Sequence, residues 1–255
     1  MYKGHRIAVV MPVHNEELFI ERTISRVPSF VDLIIAVDDA SSDSTWQRLS
    51  GIENGKLARL RHEKNLGVGA ATKTGYRYAL EASVDLIAVM DGDGQMDGRD
   101  LSRLLDRAIS GVDYVKGNRF LHLGSIGSMP ALRYIGNRIL SWLTRRATGF
   151  EGSLDAQCGY TVIRRAALKR LAIDELYDRY GFLNEMLNLA LGAGFKVESV
   201  PVRCVYADEV SGMNPLTSVP TILFLILRGW LRNNFSLNGR AARLAIEKSE
   251  ARSAE

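Results

Sequence analysis

Short β-forming runs alternate with helical patterns from the first residues of the chain. The runs at residues 7–11, 33–37 and 86–90 are rich in Val, Ile and Leu, a shorter run lies at residues 114–116, and amphipathic stretches separate them. Parallel strands need such crossover connections, so the alternation predicts an α/β fold with a mostly parallel sheet flanked by helices. The 255 residues, 46% of them hydrophobic, suffice for one large domain of this class.

Polar clusters follow three of the predicted strands. In open α/β sheets, ligands bind outside the carboxyl ends of the strands, so clusters at these ends are expected to gather at one edge. They are Pro12-Val13-His14-Asn15-Glu16, Asp38-Asp39-Ala40-Ser41-Ser42-Asp43 and Asp91-Gly92-Asp93-Gly94-Gln95.

The third cluster is a candidate metal site. Asp91 and Asp93 are two residues apart after a strand, so their side chains share a face and can share one cation. Mg²⁺ or Mn²⁺ prefers oxygen ligands and leaves positions for diphosphate oxygens, and Gln95 adds a neutral polar contact. Because Asp-Gly pairs also occur in ordinary turns, a plain turn is the alternative.

The first two clusters allow two interpretations each. Asp38 or Asp39 can accept a hydrogen bond from a base or ribose, while Asp43 or Ser44 can cap the next helix. Glu16 can face a nucleotide, or it can merely favour a helix N-terminus.

The composition of the sequence changes after Arg119. Residues 121–130 are rich in Gly and Ser and predict a mobile loop, whereas residues 131–147 predict a helix. On that helix Arg133 and Asn137 lie four residues apart and share a face, which Ser141 extends. A solvated surface role for Arg133 is the alternative.

Residues 216–231 contain an apolar run that is interrupted by polar residues and Pro220. This composition is poor for a spanning helix, but the ending in Arg228, Trp230 and Arg232 suits a helix lying in a membrane interface. A core helix or a dimer helix is equally compatible. The charged residues 240–255 predict a solvated helix or tail.

Charge and cysteine usage narrow the class of protein. A net charge of +4 is too mild to indicate nucleic acid but suits a phosphate-bearing ligand or an anionic membrane face. Cys158 and Cys204 lack the spacing of a zinc site or a disulfide framework. Together with an N-terminus that lacks the apolar core of a signal peptide, they predict a cytoplasmic protein.

Several motifs in order, across residues 5–205, resemble family 2 glycosyltransferases of the GT-A fold, in the branch of dolichyl-phosphate mannose synthase and bacterial polyprenyl-phosphate hexose transferases. The residues that carry the resemblance are Val10-Met11-Pro12-Val13-His14-Asn15-Glu16-Glu17, Val37-Asp38-Asp39-Ala40-Ser41-Ser42-Asp43-Ser44-Thr45, Asn65-Leu66-Gly67-Val68-Gly69-Ala70-Ala71, Asp91-Gly92-Asp93-Gly94-Gln95, Gly117-Asn118-Arg119 and Asp155-Ala156-Gln157-Cys158-Gly159-Tyr160.

The resemblance implies a Rossmann-like GT-A domain over residues 1–215 and a C-terminal, interfacial helical segment over residues 216–255. It implies a nucleotide-diphosphate sugar donor, a lipid-phosphate acceptor at a membrane surface, and inversion at the transferred hexose. A homo-oligomer is compatible with it. The implied roles are the nucleotide for Pro12, His14, Glu16 and Asp39, the metal and diphosphate for Asp91, Asp93 and Gln95, and the acceptor phosphate for Arg119, Arg133 and Asn137.

Other functions compete with this one. A family 2 transferase with a sugar-hydroxyl acceptor would need a general base, for which Asp155 is the candidate. A nucleotidyltransferase should carry a Gly-rich, basic loop after the first strand, where this chain has residues 12–17. A non-catalytic nucleotide-binding module would need an empty metal site.

One departure from the family concerns residues 206–213. Many relatives carry an Arg and then Gly-Ser-Lys near this position, where a cation contacts the donor diphosphate. This chain has Tyr-Ala-Asp-Glu-Val-Ser-Gly-Met instead, so a contact there with the donor is not expected.

Overall fold

The computed structural model describes residues 1–204 and 215–235. The departure at residues 206–213 and the charged tail at residues 240–255 lie outside these described residues.

A seven-stranded mixed sheet organises the described part of the chain, with the order β3-β2-β1-β4-β6-β5-β7. Neighbouring strands are parallel except around β6, which runs antiparallel to both β4 and β5. The strands are β1 Ile7–Val13, β2 Leu33–Asp38, β3 Leu57–Arg61, β4 Leu86–Val89, β5 Tyr114–Asn118, β6 Thr161–Arg164 and β7 Val197–Pro201. The four predicted strands are confirmed, whereas β3, β6 and β7 were not predicted.

Helices cover both faces of the sheet, because the central strands are apolar on both sides. Alternate residues of β1 point to opposite cores: Val9 packs in one with side chains of α1, α2 and α4, and Val10 packs in the other with side chains of α3, α7 and α8. The helices are α1 Ile20–Ser25, α2 Thr45–Gly51, α3 Val68–Glu81, α4 Leu101–Ile109, α5 Leu123–Ser128, α6 Ala131–Thr148, α7 Arg165–Leu168, α8 Phe182–Gly192 and α9 Pro215–Phe235.

The prediction of a loop at residues 121–130 was wrong. Helix α5 occupies most of this stretch, after a 3₁₀ turn at Arg119–Leu121. Ser125 is fully buried: its Oγ donates to the carbonyl oxygen of Val202 at 3.0 Å and accepts the N–H of Cys204 at 2.8 Å. Tertiary hydrogen bonds thus order a segment whose Gly and Ser content predicts irregular backbone.

The two long helices α6 and α9 pack against each other, and α9 also packs on α8. Helix α6 ends one residue beyond its predicted limit, at a left-handed Gly149. Ile222 and Leu225 form the buried side of α9. Among the helices that the structure describes, none has the length and hydropathy needed to cross a membrane.

Candidate active site

A cleft of about 760 Å³ opens at the carboxyl ends of β1, β2 and β4, as the strand-end clusters predict. It gathers ten of the predicted site residues in its lining: Pro12, His14, Glu16, Asp39, Asp91, Asp93, Gln95, Arg119, Arg133 and Asn137. Asp38 and Asp155 are not in the lining.

The carboxylates of Asp91 and Asp93 form the acidic centre of the cleft. Burial, and then the neighbouring charge of Asp93, raise the pKa of Asp91 to about 7, although Arg119 and Arg133 act in the opposite direction. Two carboxylates that disfavour each other's ionisation in this way suit a shared divalent cation, which would restore both charges.

The donor set near Asp91 fits a cation that is shared with a ligand. Among residues 1–204 and 215–235, no three Asp, Glu, His or Cys side chains gather as a cluster that could hold a metal ion. Two carboxylates leave most positions of an octahedral ion open for diphosphate oxygens or water, as Mg²⁺ prefers. Gln95 is also in the cleft, and its backbone N–H donates to Asp93 Oδ1 at 2.9 Å.

Gly159 gives the carboxylate of Asp91 its space. A Cβ atom at this position would lie 2.6 Å from Asp91 Oδ2, closer than Cβ atoms approach other heavy atoms in proteins. The segment before β6 therefore packs directly against the candidate metal site.

Asp39 shapes the side of the cleft at the carboxyl end of β2. Its carboxylate accepts the backbone N–H groups of Leu66 and Gly67 at 2.9 and 2.6 Å, and Oδ1 lies 2.7 Å from His62 Nδ1. Asp39 therefore holds the loop before α3 against the carboxyl end of β2.

His14 joins the same network through both ring nitrogens. Nδ1 lies 2.9 Å from the carbonyl oxygen of Asp39, which can only accept, so Nδ1 carries a proton. In the neutral ring Nε2 is then the acceptor for the side-chain amide of Asn65, 3.0 Å away. Glu16 and Pro12 lie beside it, and the N–H of Glu16 donates to Thr45 Oγ1 at 2.7 Å.

Asp38 does not line the cleft. It is fully buried, its Oδ1 accepts the N–H and the hydroxyl of Ser41, and its Oδ2 lies 3.0 Å from Arg61 Nε. These contacts organise the loop after β2 and leave the cleft side to Asp39.

Arg119 and Asp155 form a buried ion pair on the opposite side. Nε of Arg119 lies 2.6 Å from Oδ2 and Nη2 lies 2.8 Å from Oδ1, and the backbone N–H of Arg119 also donates to Oδ2. The Asp155 side chain is inaccessible to solvent. This environment favours a carboxylate that orients Arg119 over one that removes a proton from a substrate.

Arg133 and Asn137 line the cleft from one face of α6, as their spacing predicts. Ser141 continues the stripe below the cleft, where its buried Oγ accepts the N–H of Ala156 at 2.9 Å. The helix thus carries two polar groups into the cleft and fastens the segment before β6 with the third.

Arg179 and Tyr180 also line the cleft and were not anticipated. They precede α8 in the turn Asp178-Arg179-Tyr180-Gly181, where Gly181 has φ +116°. A Gly-ended polar cluster before an apolar helix is a recognisable loop signal. Nothing in the local sequence indicates that this loop reaches the strand-end clusters.

Comparisons with known proteins show the family of this chain. Residues 8–172 match the family model for glycosyl transferase family 2. A UDP-N-acetylglucosamine–dolichyl-phosphate N-acetylglucosaminyltransferase from Methanococcus voltae is 29% identical, over 79% of this chain and 86% of its own. A polyprenol monophosphomannose synthase from Mycolicibacterium smegmatis is 27% identical, over 82% of each chain.

The fold resembles solved structures of glucosyl-3-phosphoglycerate synthase from Mycobacterium tuberculosis. The complex with UDP gives a TM-score of 0.65 at 19% identity, covering 89% of this chain and 80% of that one. The complex with Mn²⁺, UDP and glucosyl-3-phosphoglycerate gives 0.60 at 20% identity, covering 89% and 79%. These likenesses confirm the predicted GT-A fold, and the match of the family model over most of the chain shows that this protein belongs to glycosyl transferase family 2.

Proposed function

We propose that this glycosyltransferase moves a hexose from a UDP- or GDP-sugar to a polyprenyl or dolichyl phosphate, with inversion at the anomeric carbon. One observation carries the proposal: a single cleft brings the Asp91 and Asp93 carboxylates together with the guanidinium of Arg133 on α6. The first group suits a metal-bound diphosphate and the second suits an acceptor phosphate. The named activities of the Methanococcus and Mycolicibacterium relatives support a lipid-phosphate acceptor.

On the donor side, Pro12, His14, Glu16 and Asp39 form the wall for the nucleoside. Asp91 and Asp93, with Gln95 beside them, would hold Mg²⁺ or Mn²⁺. A cation bound there supplies positive charge for the departing nucleotide diphosphate. The Mn²⁺ and UDP in the solved relative support this arrangement.

On the acceptor side, a lipid phosphate needs to be positioned more than it needs a general base. A lipid phosphate is already anionic near neutral pH, so its oxygen can attack directly once it is oriented and its charge is balanced. Arg133 and Asn137 line the cleft on this side, and Asp155 fixes the guanidinium of Arg119. One displacement on the face opposite the diphosphate inverts the anomeric centre.

The outer faces of α6 and α9 support association with the cytoplasmic face of a membrane. Both helices expose large apolar side chains beside exposed arginines, a combination that favours an anionic bilayer surface. The apolar residues are Leu132, Ile135, Ile139 and Trp142 on α6, and Leu216, Leu223, Phe224, Leu227 and Trp230 on α9. The arginines are Arg138, Arg145, Arg146 and Arg232.

Transfer from labelled UDP-GlcNAc, UDP-glucose and GDP-mannose to a polyprenyl phosphate in vesicles, with and without Mn²⁺, tests the proposal. We expect transfer with one of these donors, its loss in excess chelator, and a fall of about a hundredfold or more in Asp93→Asn because a negative ligand is removed. Asp106→Asn, which removes an exposed carboxylate paired with Lys3, is the matched control.

Two results would argue against the proposal. Full activity of Asp93→Asn in the presence of chelator would show that the reaction needs no metal ion at Asp91 and Asp93. Transfer to a sugar hydroxyl in place of a polyprenyl phosphate would favour the polysaccharide-type alternative.

A further inference from the structure

We propose that Glu185 is a positioning residue for the cleft wall formed by residues 177–181, and that Arg228 of α9 holds Glu185 in place. The C-terminal helix is then part of the support of the active site. The inference rests on the proposed function only in that this wall faces a nucleotide-sugar donor.

Residues 177–181 reach the centre of the cleft. Arg179, Tyr180 and Gly181 lie in its lining. Arg179 donates to the side-chain and backbone oxygens of Asn65 at 3.3 and 3.1 Å, on the nucleotide side. Tyr180 lines the same cleft as the carboxylates of Asp91 and Asp93. A shift of this segment would alter both the nucleotide wall and the space above the carboxylates.

Helix α3 holds the segment from one side. A Cβ atom at Gly67 would lie 2.5 Å from Arg179 Cγ and 2.6 Å from the carbonyl oxygen of Asp178. The buried Lys73 donates to the carbonyl oxygen of Leu176 at 2.8 Å and pairs with Asp178 at 2.6 Å. This side of the wall is therefore fixed by close packing and by a buried cation.

Glu185, in the first turn of α8, holds the segment from the other side. Its side chain is almost fully buried, and Oε2 accepts the backbone N–H of Tyr177 at 2.7 Å. Its other oxygen, Oε1, pairs with Arg228 of α9. A buried carboxylate needs such partners, so the bond to Tyr177 depends on a cation that α9 provides.

Close packing joins α9 to the same place. A Cβ atom at Gly181 would lie 2.5 Å from Leu225 Cδ1. Gly229 likewise leaves no room for a side chain against Asn188 of α8. The side of α9 that faces the protein thus contacts the end of the cleft wall, while its other side carries the exposed apolar residues.

Variants of the Glu185 and Arg228 pair separate charge from hydrogen bonding. Glu185→Gln keeps an acceptor for the N–H of Tyr177, Glu185→Ala removes it, Arg228→Met removes the cation, and Arg228→Lys restores it. Arg107→Met breaks a comparable Arg–Glu pair with Glu198 at the far edge of the sheet and is the matched control.

The first readout is tryptic cleavage after Arg179, followed by mass spectrometry of the fragment that begins at Tyr180. We expect Arg228→Met and Glu185→Ala to accelerate this cleavage about three- to thirtyfold, because coupled contacts are lost on one side of the segment. The cleavage rates of Glu185→Gln and Arg228→Lys should lie between those of these two variants and that of the wild type. The rate of Arg107→Met should match that of the wild type.

The second readout is the affinity for UDP and GDP in the presence of Mn²⁺, measured by calorimetry. We expect Arg228→Met to weaken the bound nucleotide about three- to tenfold and to raise the donor KM more than it lowers kcat. Cleavage and affinity equal to those of Arg107→Met would overturn the proposal. If Glu185→Ala does not fold, Arg228→Met decides, since Arg228 is half exposed.

The two proposals fail separately. If the wild type binds neither nucleotide, the proposed donor is wrong, while the cleavage comparison still decides the role of Glu185. If nucleotide binds and transfer occurs but the variants behave as the wild type, the positioning role is wrong and the proposed function stands.

Discussion

Arg119 and Asp155 are joined by two separate contacts, Nε to Oδ2 at 2.6 Å and Nη2 to Oδ1 at 2.8 Å, at the carboxyl end of β5. The pair is almost completely buried. Removing one partner of such a pair leaves the other charge unpaired, which costs about 3–5 kcal/mol. We therefore expect Arg119→Ala to lower stability as well as activity, and its kinetics alone would not identify a contact with the acceptor.

Arg133 is the better residue for testing the acceptor site. It is partly exposed on α6, so Arg133→Ala should retain most of the stability of the protein. Charge-assisted contacts with phosphate contribute roughly 1.5–3 kcal/mol, and their loss should weaken use of a polyprenyl phosphate about ten- to a hundredfold. Nucleotide affinity, measured by calorimetry, should barely change. If Arg133→Ala loses nucleotide binding and keeps its use of the acceptor, Arg133 belongs to the site of the donor diphosphate.

Gly159→Ala tests the contact between the segment before β6 and the candidate metal site. The added methyl group would meet Asp91 Oδ2 at 2.6 Å and displace the carboxylate. We expect activity to fall by at least tenfold with a higher requirement for Mn²⁺, measured by titration of the metal. Gly55→Ala is the matched control, because a Cβ there also has no positive φ to strain it and has nothing within 4 Å. An unchanged metal titration in Gly159→Ala would place the cation elsewhere.

The raised pKa of Asp91 predicts how stability depends on pH in metal-free protein. The pKa rises from 3.8 to about 7 on folding, so the folded protein binds a proton that the unfolded chain releases. The contribution of Asp91 to the free energy of unfolding is therefore fully present below about pH 4, and it is lost as the pH rises towards 7.

Replacing Asp91 by the uncharged Asn, which has the same shape, should prevent this loss of stability at high pH. In chelator at pH 8, Asp91→Asn should unfold about 2–4 °C higher than the wild type, or more, and the difference should vanish near pH 4. Thermal unfolding across this range is the measurement. A variant that is less stable than the wild type at pH 8 would mean that the Asp91 carboxylate is well compensated without metal.

The exposed side of α9 can be tested against its buried side. Phe224→Ser combined with Leu227→Ser should release the protein from anionic vesicles in a sedimentation assay without a large loss of stability, since these residues are 61% and 53% exposed. Leu225→Ser, in the same apolar run, should lower stability instead, because Leu225 is buried against Gly181. Binding that persists in the double variant would place the membrane contact on another surface of the protein.

Much of the fold was predictable because hydrophobic periodicity reports burial directly. The strands β1, β2 and β4 are apolar runs followed by polar clusters, and the carboxyl ends of parallel strands meet at one edge. That rule was enough to bring Asp39, Asp91 and Asp93 into one cleft.

The remainder depends on contacts that are distant in sequence. The short β6 is held by pairing with β4 and β5 on both sides, and the strand β3 carries two arginines that weaken its apolar pattern. Helix α5 forms because Ser125 bonds to residues almost eighty positions later. The distinction between Asp38 and Asp39 depends on Arg61 and the Gly67 loop, which no local pattern pairs with them.

The reversed direction of β6 has a consequence for engineering. Because β6 is antiparallel to β4 and β5, the residues that enter it reach the same rim as the residues that leave β4. Those entering residues, 149–160, form one continuous stretch between α6 and the sheet, and Asp155, Gln157 and Gly159 all belong to it. Transplanting this stretch between family members would exchange one flank of the cleft as a cassette while leaving β1, β2 and the cleft residues that follow them untouched.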